Sequence, residues 1–473
     1  MGDSTQKTKE DNASKTMEEI VSLCKRRGFV FQGSEIYGGF GNSYTYGPLG
    51  SELKKNIKDL WWKTFVQERE DMTGIDGTIL LHPKTWEASG HIGGFNDQMV
   101  DCKNCKARLR ADHIVEEAIQ MDCEGMSDEE VGKIIRENSI KCPKCGKQDF
   151  TEVRQFNLMF STQMAKTGDD STAYLRPETA QAIFLEFKNV VASTRLKLPF
   201  GIGQIGKAFR NEITPGNFIF RVLEFEQMEI EYFIRPENWE EIFENWFDEM
   251  KKWCVDIGLN PANFHAYEHP ADKLSFYSKR TIDIEYDFPF GRKELYGLAY
   301  RTNYDLSRHE EFSGKNLHIH DEATGQKILP HVIEPTFGLD RTILAVLCEG
   351  FKTEELEDGK TRDVLKLVPA LAPVKIAILP LMKKDGLPEK SREIMKKLRI
   401  FGNIEYDQSG AIGKRYRRND EIGTPVCITV DYDTLDKDSA DFESVTIRDR
   451  DTMKQERVKI ADLVSVLSER YFG

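Results

Sequence analysis

Apolar residues fall along the chain in two rhythms, and each predicts a different element. Between Pro48 and Phe65, apolar side chains at Leu49, Leu53, Ile57, Leu60, Trp61 and Phe65 recur at three- and four-residue steps, the spacing that lines one face of a helix. Pro48 suits the first turn, where a missing N–H does no harm. A short apolar stretch, Thr78–Leu81, predicts a strand ending at His82-Pro83. Residues 198–234 alternate or run apolar in Phe, Ile and Val, divided by Pro215-Gly216. That pattern predicts two long antiparallel strands joined by a turn. Helical spacing returns at Trp239–Ile257 and Asp340–Cys348.

Toward the C-terminus the pattern changes. Val364–Pro373 reads as a linker, with Pro369 and Pro373 flanking small residues. After it come a buried-type strand (Val374–Leu379), a helix (Glu389–Leu398) and another strand (Pro425–Asp431). This alternation predicts a compact α/β domain with a near-parallel sheet. Residues 1–16 are poor in apolar groups and predict a disordered tail. Residues 101–150 read as an insertion, where two cysteine pairs bracket a polar, helix-like stretch at His113–Ile140. A chain of 473 residues exceeds a single core. The expected division is a tail at 1–16, a main domain at 17–372 carrying an insertion at about 98–155, and a final domain at 373–473.

Composition changes this picture little. Apolar content of 39% and charged content of 31% are ordinary for a soluble globular enzyme. The net charge of −13 argues against general affinity for nucleic acid. However, Pro373 to the end holds 19 Lys+Arg against 18 Asp+Glu, so the final domain escapes the acidity and can offer a local basic surface. Met1 to Lys15 is polar and has no apolar core of a secretory signal, and no apolar run reaches bilayer length. A cytoplasmic location without membrane contact is expected.

Candidate chemistry starts with FRNE at 209–212 and GLDR at 338–341. An arginine in apolar surroundings needs an anionic partner, and a planar guanidinium suits phosphate. On the predicted strand, Arg210 and Glu212 share a face. The returning strand offers Arg221, Glu224, Phe225, Glu226 and Glu229. Such a hairpin can grip phosphates and stack a base, or it can be a solvated face with cross-strand ion pairs. The run Val332–Arg341 reads as a strand, a glycine turn and a helix opening, with Asp340 able to cap the helix. Arg341 in that first turn is unfavourable for the helix dipole unless an anion is also present. By contrast, Gly201-Ile-Gly-Gln-Ile-Gly206 matches a dinucleotide fingerprint only in letters. Pro199 before it and Pro215-Gly216 after it leave no room for the long helix that the fingerprint needs. Its glycines instead suit close strand packing or backbone approach to a ligand.

Four of the nine cysteines form two C-x-x-C pairs, Cys102/Cys105 and Cys142/Cys145, separated by 36 residues. In a reducing compartment this spacing points to a closed tetrahedral zinc site, with Cys123 between the pairs as an alternative ligand. Four thiolates leave no open position, so a structural role is expected rather than metal catalysis. Lys414, Arg415, Arg417 and Arg418 form a basic run that reads as a solvated face or a phosphate-contact surface.

Taken together, FRNE and GLDR resemble motifs 2 and 3 of the class II aminoacyl-tRNA synthetases. The helix at 48–66 with the strand ending at Pro83 resembles motif 1, the dimer interface of that class. Arg176-Pro-Glu-Thr-Ala-Gln181 resembles a subclass marker, and Ile412–Pro425 resembles the anticodon-binding domain of the glycyl, histidyl, prolyl and threonyl enzymes. WEASGHIGGFND (86–97), EIYGGFGNSYTYGPLG (35–50), RADH (110–113), EFEQMEIEYF (224–233) and VIEPTFGLDR are similar to the glycyl-tRNA synthetases of the dimeric type. The resemblance runs over nearly the whole chain from about Met17.

This resemblance implies an α+β catalytic domain built on an antiparallel sheet, followed by a C-terminal α/β anticodon-binding domain. It implies a homodimer that activates glycine with ATP and Mg2+ and charges tRNA(Gly). Arg210, Glu212 and Arg341 would be catalytic. Arg210 would bind the α-phosphate, Arg221 and Arg341 the outer phosphates, and Phe225 the adenine. Glu294, with Leu295 beside it, would contact ATP and magnesium, and Asn211, Phe220 and Gly338 would complete the ATP site. The glycine pocket would use Glu178, Glu229, Glu334 and Arg110, together with Phe225, Glu226, Gln227, Met228, Thr336 and Gly338. Several carboxylates suit an α-ammonium group, and a pocket fitted to glycine rejects alanine by overlap, at about 1–3 kcal/mol. Thr336 stands where the family often has serine, which adds a methyl to the pocket wall. A silent nucleic-acid-binding relative of these enzymes would have lost the phosphate arginines, whereas all of them are present here. A prolyl or threonyl enzyme does not match the acid-lined pocket.

Overall fold

The computed structural model describes every residue except 1–8, 11–14, 124, 166–171, 214–215, 276 and 357–358. Its main domain is an α+β fold around a seven-stranded sheet. The strands are β1 (Met72–Gly74), β2 (Phe200–Phe209), β3 (Glu224–Ile234), β4 (Phe264–Glu268), β5 (Arg280–Phe288), β6 (Gly291–Thr302) and β7 (His331–Gly338), in the order β4-β5-β6-β7-β3-β2-β1. All neighbours are antiparallel except β2 and β1.

Strand alternation divides the two faces. Met228, Ile230, Tyr232 and Ile234 of β3 enter the large core. There they meet Leu53, Ile57 and Trp61 of α1 (Pro48–Trp62), Trp246 and Trp253 of α3 (Trp239–Asp256), and Ile343 and Leu347 of α4 (Leu339–Gly350). On the other face, α2 (Ala180–Thr194) sets Ile183, Phe184 and Phe187 against Phe200, Ile202 and Phe233. Beyond the reach of α2, this second face carries buried Gln227, Glu229 and Glu231 instead of apolar groups.

Several expectations change in detail. The strand expected at Thr78–Leu81 makes one isolated bridge, Leu80 to Leu175. The Thr78 hydroxyl donates to the Leu80 carbonyl (3.2 Å), a local bond that competes with a ladder, and β1 takes the edge position. β2 ends at Phe209 and β3 starts at Glu224. Arg210, Glu212 and Arg221 therefore lie in the connection between them rather than on paired strands. The Pro215 half of the expected turn lies outside the described residues. Gly201 and Gly206 sit within β2, as close packing requires. A Cβ at Gly201 would lie 2.3 Å from the Met72 Sδ, and one at Gly206 2.1 Å from the Arg176 guanidinium. Asp340 does not cap α4; its carboxylate accepts from the Tyr46 hydroxyl and from the Glu226 N–H (2.8 Å). Of the tail, residues 1–8 and 11–14 lie outside the described residues, and Lys9–Glu10 pairs with Glu354 and Glu355.

The insertion is a three-stranded antiparallel sheet, Asn96–Asp101 between Arg108–Arg110 and Arg154–Asn157. Its helix-like stretch splits into Ala111–Ile119 and Asp128–Glu137, and a Ser127/Glu130 capping box starts the second helix.

The C-terminal sheet contains β8 (Ile376–Pro380), β9 (Ile404–Tyr406), β10 (Val426–Val430), β11 (Ser444–Asp449) and β12 (Gln455–Lys459), in the order β9-β8-β10-β11-β12. The first three are parallel and the last two antiparallel, so the sheet is mixed rather than near-parallel. The short connection at 450–454 permits only an antiparallel return. Val364 and Leu365 belong to the strand Thr361–Leu365, so they are not linker. Arg415 of the basic run is 2% exposed and donates to the carbonyls of Pro380 (2.6 Å) and Asp407 (3.1 Å). It closes the domain from inside and is no phosphate contact.

Candidate functional site

Where the polar patch of β3 meets β6, β7 and the 210–223 connection, a cavity of about 350 Å³ opens. Arg210, Arg221 and Arg341, with Glu212 and Glu294 beside them, line one part, and a carboxyl cluster around Arg301 lines another. Arg176, 2% exposed, anchors the turn into α2 by donating to the carbonyls of Lys207 (2.7 Å) and Gly77 (2.8 Å). The turn's Pro177 carbonyl accepts from Arg210 Nε (3.1 Å). The Arg210 guanidinium lies 5.3 Å from the centroids of both Phe95 and Phe225. This aromatic bracket keeps the charge in place without neutralising it.

The other two arginines rest on carboxylates. Arg341 Nη1 lies 3.0 Å from Glu294 Oε2 and donates to the Glu294 carbonyl (3.1 Å), with Phe220 beneath its guanidinium at 4.5 Å. Arg341 holds the Glu294 carboxyl below its usual range. Arg221 Nε stands 3.9 Å from Glu212 Oε2, which is contact without a tight bond. Three guanidiniums held this way can exchange partners for an anion with several phosphates.

At the other end, Arg301 is 2% exposed and donates to both oxygens of Asp305 (2.8 Å each) and to Glu334 Oε1 (2.7 Å). Glu178 accepts from Gln181 (2.9 Å) and lies 3.4 Å from His91 Nε2. Glu229 accepts from the Thr179 hydroxyl and from Thr336 Oγ1 (3.1 Å). Burial would raise all these carboxyls. It pushes Glu334 up to about 8 and raises Glu229, which also faces Glu178. For Glu178, His91 and Arg301 overcome burial and hold the carboxyl well below the usual range. The pocket therefore combines one firmly ionised carboxylate with others poised to ionise.

Of the residues expected at the site, Arg210, Glu212, Phe220, Arg221, Phe225, Glu294, Leu295, Gly338 and Arg341 line this cavity. So do Glu178, Glu226, Gln227, Glu229, Glu334 and Thr336. Three do not. Met228 is fully buried in the core on the opposite face of β3, where strand alternation puts it. Asn211 turns its N–H to the Leu158 carbonyl (2.8 Å). Arg110 sits in the insertion between Asp97 (3.2 Å) and Asp112, outside the cavity wall but within electrostatic reach of Glu212. Sequence reasoning missed Arg301, Asp305 and Tyr277. The available signal was Arg301 ending the apolar run Leu295–Tyr300, with Asp305 four residues on.

The four cysteines of the insertion converge. Cys102 and Cys145 Sγ lie 3.6 Å apart, Cys105 and Cys142 Sγ 3.7 Å, and all four sulfurs fall within 4.8 Å of one another. These separations are too long for disulfides. They match the edge of a tetrahedron with metal–sulfur bonds of about 2.3 Å, which is about 3.8 Å. The Lys147 N–H lowers Cys145 whereas neighbouring thiols raise Cys105, so the geometry of the four sulfurs carries the metal reading. Cys123 is not in the group; it is buried in the apolar core of the insertion.

Comparison with known proteins agrees with this geometry. Residues 160–349 match the tRNA synthetase class II core domain (G, H, P, S and T), and residues 375–470 match the anticodon binding domain. These two matches make the chain a class II aminoacyl-tRNA synthetase. Residues 120–158 match glycyl-tRNA synthetase insertion domain 1. The glycine–tRNA ligase of Clostridium acetobutylicum is 54% identical over 96% of this chain and 99% of its own. That of Geobacillus thermodenitrificans is 52% identical over 98% and 99%. The chain belongs to the glycine–tRNA ligase family.

Proposed function

We propose that the protein joins glycine to the 3′ end of tRNA(Gly) in two steps within this cavity. First, a glycine carboxylate oxygen attacks the α-phosphorus of ATP and pyrophosphate leaves. The terminal ribose hydroxyl of the tRNA then attacks the adenylate carbonyl, and AMP leaves. The observation that carries this reading is the convergence of three arginines and an ammonium-type carboxyl cluster in one cavity.

Arg210, free of any carboxylate partner among the described residues, meets the charge that builds on the α-phosphorus. Arg341 and Arg221 hold the outer phosphates, each exchanging its glutamate for phosphate oxygens, and Phe225 stacks the adenine. Glu178, Glu229 and Glu334 receive the α-ammonium of glycine, and Arg301 orients Glu334. Positioning does most of the work, and no general base is assigned. Glu294 presents the carboxylate that magnesium brought in with ATP needs; the ion supplies further charge neutralisation at the outer phosphates. The cysteines hold structural zinc. Metal analysis of purified protein then gives about one zinc per chain, and fully active protein without zinc contradicts the assignment.

The domains are 17–372, carrying the insertion at about 98–155, and an anticodon-binding domain at 373–473. Two chains pair through the motif 1 region, and in the segment just before it Ile36 (88% exposed), Tyr37 (85%) and Phe40 (60%) present apolar surface. Size-exclusion chromatography at micromolar concentration gives a dimer, and a monomer contradicts the pairing. Among the described residues no helix is long and apolar enough to cross a membrane. We place the enzyme in the cytoplasm, a reducing compartment that suits nine cysteines without a disulfide.

Charging tests the whole reading. Full-length protein with ATP, labelled glycine and tRNA(Gly) yields an ester-linked product, and transfer to an unrelated tRNA as readily as to tRNA(Gly) contradicts it.

A further inference from the structure

Glu231 is a buried carboxyl beside the amino-acid pocket that the two steps above do not use. It follows Glu229 by two residues on β3, so both project from the same face. It is 0% exposed, and neither of its oxygens has a hydrogen-bond partner. Its carboxyl oxygen, with those of Glu229 and Glu334, completes a group lying within 4.8 Å of one another. The pairs Glu229 with Thr336 and Tyr232 with Ile333 bracket it beside Glu334 on β7.

The surroundings do not offset three ionised carboxylates here. From β6, the Arg301 guanidinium is committed to Asp305 and Glu334, with Tyr277 stacked on it at 4.1 Å. From the turn before α2, Glu178 adds negative charge and takes up His91. Arg176 acts on Glu229 from behind but spends its N–H groups on backbone carbonyls. His309, on the helix that carries Asp305, is held by Gln181 (2.8 Å) and is kept from charging by burial. Five buried carboxyls, Glu178, Glu229, Glu231, Asp305 and Glu334, gathered against this set cannot all ionise. Burial raises Glu231 well above the usual carboxylate range.

We propose that Glu231 is a neutral acid that couples glycine binding to release of a proton. When the α-ammonium enters, the Glu229/Glu334 pair gives one proton to solvent, and the ammonium compensates the carboxylate so formed. The Glu231 O–H then donates to that carboxylate and stabilises it. Within the carboxyl cluster the ammonium takes the place of the lost proton; the zwitterion adds no net charge, so the complex becomes one unit more negative and the substrate carboxylate lies toward the arginines that line the same cavity. Glu231 acts through its neighbours, so it is a positioning residue. The inference rests on the glycine reading above and deepens it. By linkage, the empty pocket holds more protons than the filled one, so glycine affinity rises with pH up to about 8, where Glu334 ionises without help.

Calorimetry of glycine binding to the full-length protein at pH 7, in phosphate and in Tris, counts the protons. About half to one proton released per glycine is expected. Glu231→Leu removes the donor and weakens glycine binding about tenfold with ATP affinity unchanged, and Glu231→Gln, which keeps an N–H donor, recovers most of the loss. Glycine binding by wild type without proton release overturns the inference. So does Glu231→Gln binding as poorly as Glu231→Leu, which would make Glu231 an ionised counter-ion. If the leucine variant fails to fold, the wild-type proton count and the glutamine variant decide. Wild type that binds no glycine at all overturns the glycine reading itself, a distinct outcome.

Discussion

Replacing Arg210 by alanine lowers glycine-dependent ATP–pyrophosphate exchange by about 10²–10³-fold, the effect of removing one preorganised donor from developing charge. Arg210 is held by one bond to Pro177 and by two aromatic rings. It surrenders no ion pair when it turns to phosphate, so its interaction is available in full at the transition state. Arg341 differs, because its guanidinium already has Glu294. The loss at Arg210 therefore falls mainly on kcat and leaves the unfolding midpoint near that of wild type. An effect confined to the KM for ATP would make Arg210 a ground-state binder and contradict its role at the α-phosphorus.

The second large effect is on stability. Changing Arg301 to methionine destabilises the fold by about 3–5 kcal/mol, because it strands Asp305 as a buried charge without its partner and deprives the Glu334 carboxyl of its donor. Denaturant unfolding at several pH values reads this directly, and the sign follows from Glu334. Its folded pKa, about 8, lies above its unfolded value, so the stability of its protonated form is complete at low pH and is lost as pH rises through the folded value. Losing Arg301 removes the influence that opposes burial and raises that value further. Wild type and variant therefore lose this contribution in parallel below about pH 7 and diverge above about pH 8, where Glu334 ionises in wild type but not in the variant. A deficit that does not grow above pH 8, or one under about 1 kcal/mol, would mean that Arg301 is not the charge anchor.

How far the sequence carried depends on what kind of information each feature needs. FRNE and GLDR are short strings whose arginines imply a phosphate site, the RPETAQ run is a marker by resemblance, and the structure brings Arg210, Glu212, Glu178, Gly338 and Arg341 from them to one cavity. The paired cysteines were equally legible, since ligand spacing survives without knowledge of the fold. Strand boundaries were less so. Arg210 and Arg221 read as strand residues because they border apolar runs, whereas the hydrogen bonds of the connection decide otherwise. Arg415 read as part of a basic surface because charge runs usually are one; its burial depends on carbonyls at the ends of β8 and β9, which sequence spacing does not reveal. Arg301 and Glu231 were hidden for the same reason. Arg301 is a lone charge at the end of an apolar run and Glu231 is one of several glutamates on β3, and each acquires meaning only when β3, β6 and β7 align.

The central claim is that one cavity activates glycine and no larger amino acid. ATP–pyrophosphate exchange by full-length protein, run in parallel with glycine, alanine, serine, proline and threonine, tests it most directly. Exchange with glycine alone is the predicted result. Comparable exchange with any of the others, or none with glycine from folded protein, would contradict the account.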